Sequence, residues 1–241
     1  MTAGEKAPVP GGVLMRADGQ SEDKAWWTPR RRFSVAELVA DGIVHGVGLA
    51  AVVGIGAAAL TLAIIKAAEG AVPSLAVYIG SLLVVLTVSM AYNLWPVSPI
   101  KRVLARLDQA AIFLFIAASY TPFLDFVGGG VANALLMAIW SASLIGIALK
   151  LVVPARFGRL AILLYLGIGW SGVLIFRQLA ETLPPVALWL LVAGGVLYSL
   201  GIVFHLWDRL RFQNAVWHGF VVTAALLHLA AIVDCTVVGR L

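Results

Sequence analysis

Seven apolar stretches separated by turn signals constrain this chain more than any other feature. They lie near residues 40–66, 73–95, 107–127, 131–152, 159–178, 185–207 and 214–238. A helix needs about 20 apolar residues to cross roughly 30 Å of hydrocarbon, and each stretch approaches that length. Between them stand Glu69-Gly70, Pro96 to Pro99, Gly128-Gly129-Gly130, Pro154, Pro184-Pro185 and Asp208, residues that stop or turn a helix. With connections this short, successive helices run alternately up and down. The composition excludes a soluble domain: 61% of residues are hydrophobic and 12% charged, against about 45–50% and about 25% in soluble chains. The expected fold is all-α, a seven-transmembrane helix bundle forming one domain over residues 34–241. A polar tail, residues 1–33, precedes it and is read as disordered. The tail lacks the apolar core of a signal peptide. Ser34-Val35-Ala36-Glu37 has the pattern of a capping box and predicts the first helix start.

Charge sets the expected orientation. If the helices alternate, all of the 17 lysines and arginines except Lys66, Arg177 and Arg240 fall on the side of the N-terminus. The positive-inside rule then predicts a cytoplasmic N-terminus and, with an odd number of spans, a C-terminus outside. The net charge of +5 is accounted for by these flanking residues, and nucleic-acid binding is excluded for so apolar a chain. Trp95, Trp207 and Trp217 lie near span ends and read as interfacial anchors. Cys235 is the single cysteine, so no intrachain disulfide forms. No sequence feature fixes an oligomeric state.

The polar residues inside the spans are not scattered. With the expected topology, Glu37, Asp41 and His45 (span 1), Ser89 and Asn93 (span 2), Asp108 (span 3), His205 (span 6) and Asn214 and His218 (span 7) share the cytoplasmic end. Asp41/His45, Ser89/Asn93 and Asn214/His218 are i, i+4 pairs, so each pair projects from one helix face. Polar groups at membrane depth are expensive and mark sites, and this set predicts a polar pocket opening toward the cytoplasm. Each residue also has a plain structural role open to it: Asp108 can pair with Arg102 or Arg106, and His205 can sit at the interface beside Trp207 and Asp208. Glu37 completes the capping box, Ser89 can bond the carbonyl of residue 85, Asp41 and His45 can bond each other, and Asn93 and Asn214 can join helices. His228 lies deeper, about 15 Å beyond His218 at 1.5 Å per residue, and reads as an interhelical hydrogen bonder.

Several stretches together carry a family resemblance. They are Glu37 with His45-Gly46-Val47-Gly48, Ser89-Met90-Ala91-Tyr92-Asn93, Leu107-Asp108-Gln109-Ala110-Ala111-Ile112, Ala118-Ser119-Tyr120-Thr121-Pro122, Gly201-Ile202-Val203-Phe204 and Asn214-Ala215-Val216-Trp217-His218. From Ser34 onward the chain resembles bacterial members of the hemolysin III group within the progestin and adipoQ receptor family. The resemblance implies seven spans with the N-terminus inside, and a ceramidase-like zinc ion near the cytoplasmic end. The family pattern is Ser-x-x-x-His on span 2, Asp on span 3 and His-x-x-x-His on span 7. Its histidines bind zinc, while the Ser and Asp support a metal-bound water. Carried over, Ser89 and Asp108 take the catalytic positions and His218 a ligand position. Asn93 and Asn214 stand where the other two ligand histidines are expected. Position 41 is Asp where the group often has Asn, and position 205 is His where an aromatic such as Tyr is expected.

A neutral amide oxygen is a poor zinc ligand. Three states therefore stay open: a zinc site of the family type, a rebuilt one drawing on His205, Asp108 or His45 beside His218, and a metal-free polar pocket. The reading favoured here is the last, a membrane-lipid-binding or homeostasis protein of a bacterial plasma (inner) membrane with a degenerate zinc site. Its alternative is a zinc-dependent lipid-amide hydrolase, with Asp108 as general base and Ser89 stabilising an oxyanion. A channel or cytolysin ranks below both, since no polar stripe runs through the bilayer. A retinal pigment is disfavoured because span 7 contains no lysine.

Overall fold

The computed structural model describes residues 33–66, 69–154 and 158–238. The polar tail expected over residues 1–33 thus lies, up to residue 32, outside the described residues. Ser34 opens helix α1 (Val35–Ile65) with a complete capping box: its hydroxyl accepts from the Glu37 amide, and the Glu37 carboxylate accepts from the Ser34 amide at 2.9 Å. The following helices are α2 (Val72–Leu94), α3 (Pro99–Val127), α4 (Gly129–Val152), α5 (Gly158–Gly169), α6 (Phe176–Thr182), α7 (Pro185–Leu206) and α8 (Gln213–Val233), which ends in a π-helical turn over Asp234–Val238. Among the described residues seven segments are long and apolar enough to cross a membrane, α5 and α6 combining in the fifth.

Helix α3 begins eight residues before the apolar stretch expected from residue 107. Ser98 caps it, Pro99 occupies its first turn, and Lys101 is buried. The Lys101 ammonium donates to the Trp95 carbonyl at 2.7 Å and to that of Asn93 at 3.4 Å, capping the end of α2. A cation there also complements the negative end of the α2 dipole. The α3–α4 connection is shorter still. Gly128 (φ 64°) ends one helix and Gly129 (φ 83°) begins the next. Only glycine adopts such angles cheaply, which is why a single residue suffices for the reversal.

The helices close into a ring in which α1 lies between α2 and α8, α3 packs between α2 and α4, and α7 packs on α8. The second, third and seventh spans bury 50, 50 and 56% of their most apolar stretch, and the others at most 28%. The core is therefore built from α2, α3 and α8. Leu75, Tyr78, Leu82, Phe115, Leu124, Leu229 and Ile232 form its centre. The Tyr78 hydroxyl donates to the Ala225 carbonyl at 2.7 Å and pins α2 to α8. The outer helices present large apolar side chains outward, such as Ile145, Leu163 and Trp189, as lipid-facing surfaces do.

The fifth span is broken. Between α5 and α6 a 3₁₀ turn covers Ser171–Ile175, and the Tyr120 side chain of α3 holds the break open. Its hydroxyl donates to the Gly169 carbonyl at 2.5 Å and accepts from the Gly172 amide at 3.0 Å. Backbone groups freed within a membrane helix must find such partners. Tyr120→Phe removes both bonds and keeps the ring, so it should lower stability by about 1–3 kcal/mol. Thermal melting in detergent reads this out, and an unchanged melting temperature would show that the break does not depend on Tyr120. Trp217 differs from the expected interfacial anchor. It is half-buried and covers Gly201 of α7, where any Cβ would stand 2.9 Å from its ring. An indole fits there because glycine leaves the space. Trp95 and Trp207 remain exposed, as expected for span-end anchors.

Candidate functional site

Four helices bring a polar cluster together at the end of the bundle where α1 begins, and α1 and α8 supply its buried centre. Asp41 and His45 lie one turn apart on α1, and His218 lies in the second turn of α8. All three are buried, Asp41 at 1% exposure and His45 at 0%. His218 Nδ1 is 2.6 Å from Asp41 Oδ1, and the two imidazole rings lie 4.3 Å apart. His218 Nε2 faces the Ser89 hydroxyl of α2 at 3.3 Å. His45 Nδ1 is 2.9 Å from the Asp41 carbonyl oxygen. A carbonyl only accepts, so Nδ1 carries the proton and Nε2 holds a lone pair. Neither His45 Nε2 nor Asp41 Oδ2 has a hydrogen-bond partner among the described residues. Asp108 of α3 is half-buried, within hydrogen-bonding reach of Ser89 and close enough to interact electrostatically with His218 and Asp41.

The two asparagines sit beside this cluster and bond each other. Asn214 Nδ2 donates to Asn93 Oδ1 at 3.0 Å, while Asn93 Nδ2 donates to the Ser89 carbonyl at 2.9 Å and to its hydroxyl at 3.3 Å. Their shared bond ties α2 to α8. Ser89, expected to have the option of bonding its own helix, reaches α8 instead.

Glu37 does more than close its capping box. Its second carboxylate oxygen accepts from the Phe212 amide at 3.0 Å, joining the starts of α1 and α8. Phe212 has φ 59°, a left-handed conformation that costs a bulky residue about 1–3 kcal/mol unless its surroundings enforce it. The carboxylate at its amide is part of that enforcement.

His205 does not enter the cluster. It is exposed on α7, with its ring 5.0 Å from that of Trp217 and its carbonyl accepting from buried Gln213. Four of the five expected helices therefore converge, and α7 contributes no side chain. Gln213 and Lys101, which tie the loops of this end, were not singled out from sequence, because each bonds a backbone carbonyl and leaves no residue-type pattern. His228 donates from Nε2 to the Leu191 carbonyl at 3.1 Å, the interhelical bond expected of it.

The family-type zinc ligands can be tested against this geometry. Asn93 and Asn214 offer neutral amides, poor zinc ligands, already paired with each other. Residues at 93, 214 and 218 therefore do not fit a zinc ion as a ligand set. Among the described residues the group with metal-ligand chemistry is Asp41, His45 and His218, whose donor atoms lie within 4.8 Å of one another.

Comparison with known proteins agrees with the motifs. Residues 33–229 match the family model described as Haemolysin-III related. Hemolysin-3 of Bacillus cereus is 35% identical over 192 residues, covering 78% of this chain and 86% of that protein. The hemolysin-3 homolog of Bacillus subtilis (strain 168) is 32% identical over 194 residues, covering 78% and 89%. The human monocyte to macrophage differentiation factor is 34% identical over 127 residues, 52% of each chain.

Proposed function

The chain belongs to the Haemolysin-III related family, and from that premise we propose that it binds membrane lipid at the polar end of its bundle and does not hydrolyse lipid amides through a three-imidazole zinc. It is a multi-pass membrane protein of a family represented by bacterial hemolysin-3 proteins, consistent with a bacterial plasma membrane. The observation that carries the reading is the Asn93–Asn214 hydrogen bond. It replaces two imidazoles by amides that satisfy each other, which removes the ligands a metal needs to generate a nucleophile from water. What remains is a layer of amide, hydroxyl and carboxylate groups suited to a lipid headgroup. An apolar groove of about 420 Å³, lined by Thr87, Met90, Ala91, Leu94, Trp95 and Pro96, runs along the same end of α2 and suits an acyl chain. In this reading Ser89 and Asp108 position His218 and the amide pair. The lysine and arginine distribution supports a cytoplasmic location for this end, with the N-terminus inside.

Native mass spectrometry of the detergent-purified protein tests the reading. Phospholipid should remain bound, and Met90→Trp, which fills the groove, should release it. Ceramide-like amides incubated with the protein and added zinc should stay intact. Turnover that disappears in Asp108→Asn would refute the proposal in favour of the hydrolase.

A further inference from the structure

We propose that Asp41, His45 and His218 bind a divalent transition-metal ion at a site shifted from the family's ligand positions onto α1. The inference goes beyond lipid binding, which does not depend on it. It stands on two unpartnered atoms and their surroundings. His45 is 0% exposed, and its Nδ1 proton is committed to the Asp41 carbonyl at 2.9 Å. Its Nε2 therefore faces the interior with a lone pair and no donor. A ring nitrogen oriented by an Nδ1–H bond to a backbone carbonyl is the usual arrangement of a metal-bound histidine. Asp41 Oδ2 likewise accepts nothing, although the residue is 1% exposed. A buried acceptor left without a donor is costly, and a buried carboxylate more so. Both acceptors belong to the trio Asp41, His45 and His218, in which one ligand atom of each residue lies within 4.8 Å of one from each of the others, and together they call for a cation.

Donor chemistry selects the class of ion. Two imidazoles and a carboxylate suit zinc and its first-row neighbours, whereas magnesium and calcium prefer all-oxygen surroundings. The site would tie α1 to α8 through the ion, beside the Glu37–Phe212 bond that joins the same two helices. The alternative that satisfies Asp41 Oδ1 without metal is its contact with His218 Nδ1 at 2.6 Å. That contact leaves His45 Nε2 and Asp41 Oδ2 unexplained.

Metal binding by the full chain decides between them. Protein purified in detergent is stripped with chelator, titrated with Zn²⁺ and separately with Co²⁺, desalted and analysed for metal. One equivalent should be retained, the melting temperature should rise, and bound Co²⁺ should show visible ligand-field absorption. Asp41→Asn and His45→Gln should each weaken binding at least about tenfold, since even loss of a group that merely orients a ligand costs about 10- to 100-fold. Asn93→Ser and Asn214→Ser should bind as the parent does. Metal retained far below one equivalent by the parent leaves only the Asp41–His218 contact and overturns the proposal. So does unchanged binding in His45→Gln, or loss in Asn214→Ser with retention in His45→Gln, which returns the ligands to the family's positions. Should a variant aggregate, the cobalt spectrum of the parent decides alone, and its absence overturns the site. Lipid retention by the metal-stripped parent is measured separately, so failure of the metal site leaves the lipid reading intact.

Discussion

His218→Ala should lower stability by about 3–5 kcal/mol, the cost of leaving a buried carboxylate without its partner. Asp41 Oδ1 would lose its contact at 2.6 Å, and Oδ2 has no partner to compensate. Ser89 would lose its link to α8 in the same substitution. The site lies between α1, α2 and α8, so no single helix can relax around the gap. Thermal and denaturant melting in detergent, with metal removed, measures the loss. Asp41→Asn/His218→Ala should lose less than the sum of its single changes, because the amide no longer demands a charged partner. Additive losses would show that the two residues do not act as a pair.

Gly194→Val is expected to be comparably severe, at about 3 kcal/mol or more. Gly194 of α7 faces His228 of α8, and a Cβ there would stand 2.5 Å from His228 Nε2 and 3.1 Å from the Ala224 carbonyl oxygen. The imidazole cannot simply turn away. Nε2 is bonded to the Leu191 carbonyl, and the ring packs 5.5 Å from that of Tyr198 and 6.3 Å from that of Phe123. The Ala224 carbonyl is helix backbone and yields only if α7 and α8 separate. Gly194→Val/His228→Ala frees the space of the ring, so the double change should cost less than the two single changes together. If Gly194→Val melts with the parent, close α7–α8 packing at this point is refuted.

Much of this architecture is readable in the chain. The capping box at Ser34 and Glu37 is local chemistry between residues three apart, and it forms as expected. The apolar stretches mark the spans because transfer from water to hydrocarbon depends mainly on local composition. Helix α3 starts before its apolar stretch because apolarity is a poor guide where a buried lysine finds carbonyls to bond. Lys101 lies before the apolar stretch yet inside the helix. The break in the fifth span has no such local signature. Gly167, Gly169 and Gly172 permit it, but the Tyr120 hydroxyl, 49 residues from Gly169 in sequence, stabilises it.

The candidate site divides in the same way. Helical spacing alone put Asp41 with His45, Ser89 with Asn93 and Asn214 with His218 on common faces. The up-and-down alternation of the spans put them at one end. Which faces meet was decided by the rotation of each helix about its own axis, which depends on packing against every neighbour and has no local signature. That rotation brings His218 to Asp41, 177 residues away, and leaves His205 outside. It also pairs Asn93 with Asn214, so the two positions that resemble a zinc site close on each other. The sequence by itself determined the helices, their depth and the layer of polar groups, because these follow from transfer free energy and backbone geometry. The tertiary structure alone decided that the unpartnered lone pairs belong to α1, because that depends on which donors the packed helices bring within 3 Å or so of each acceptor.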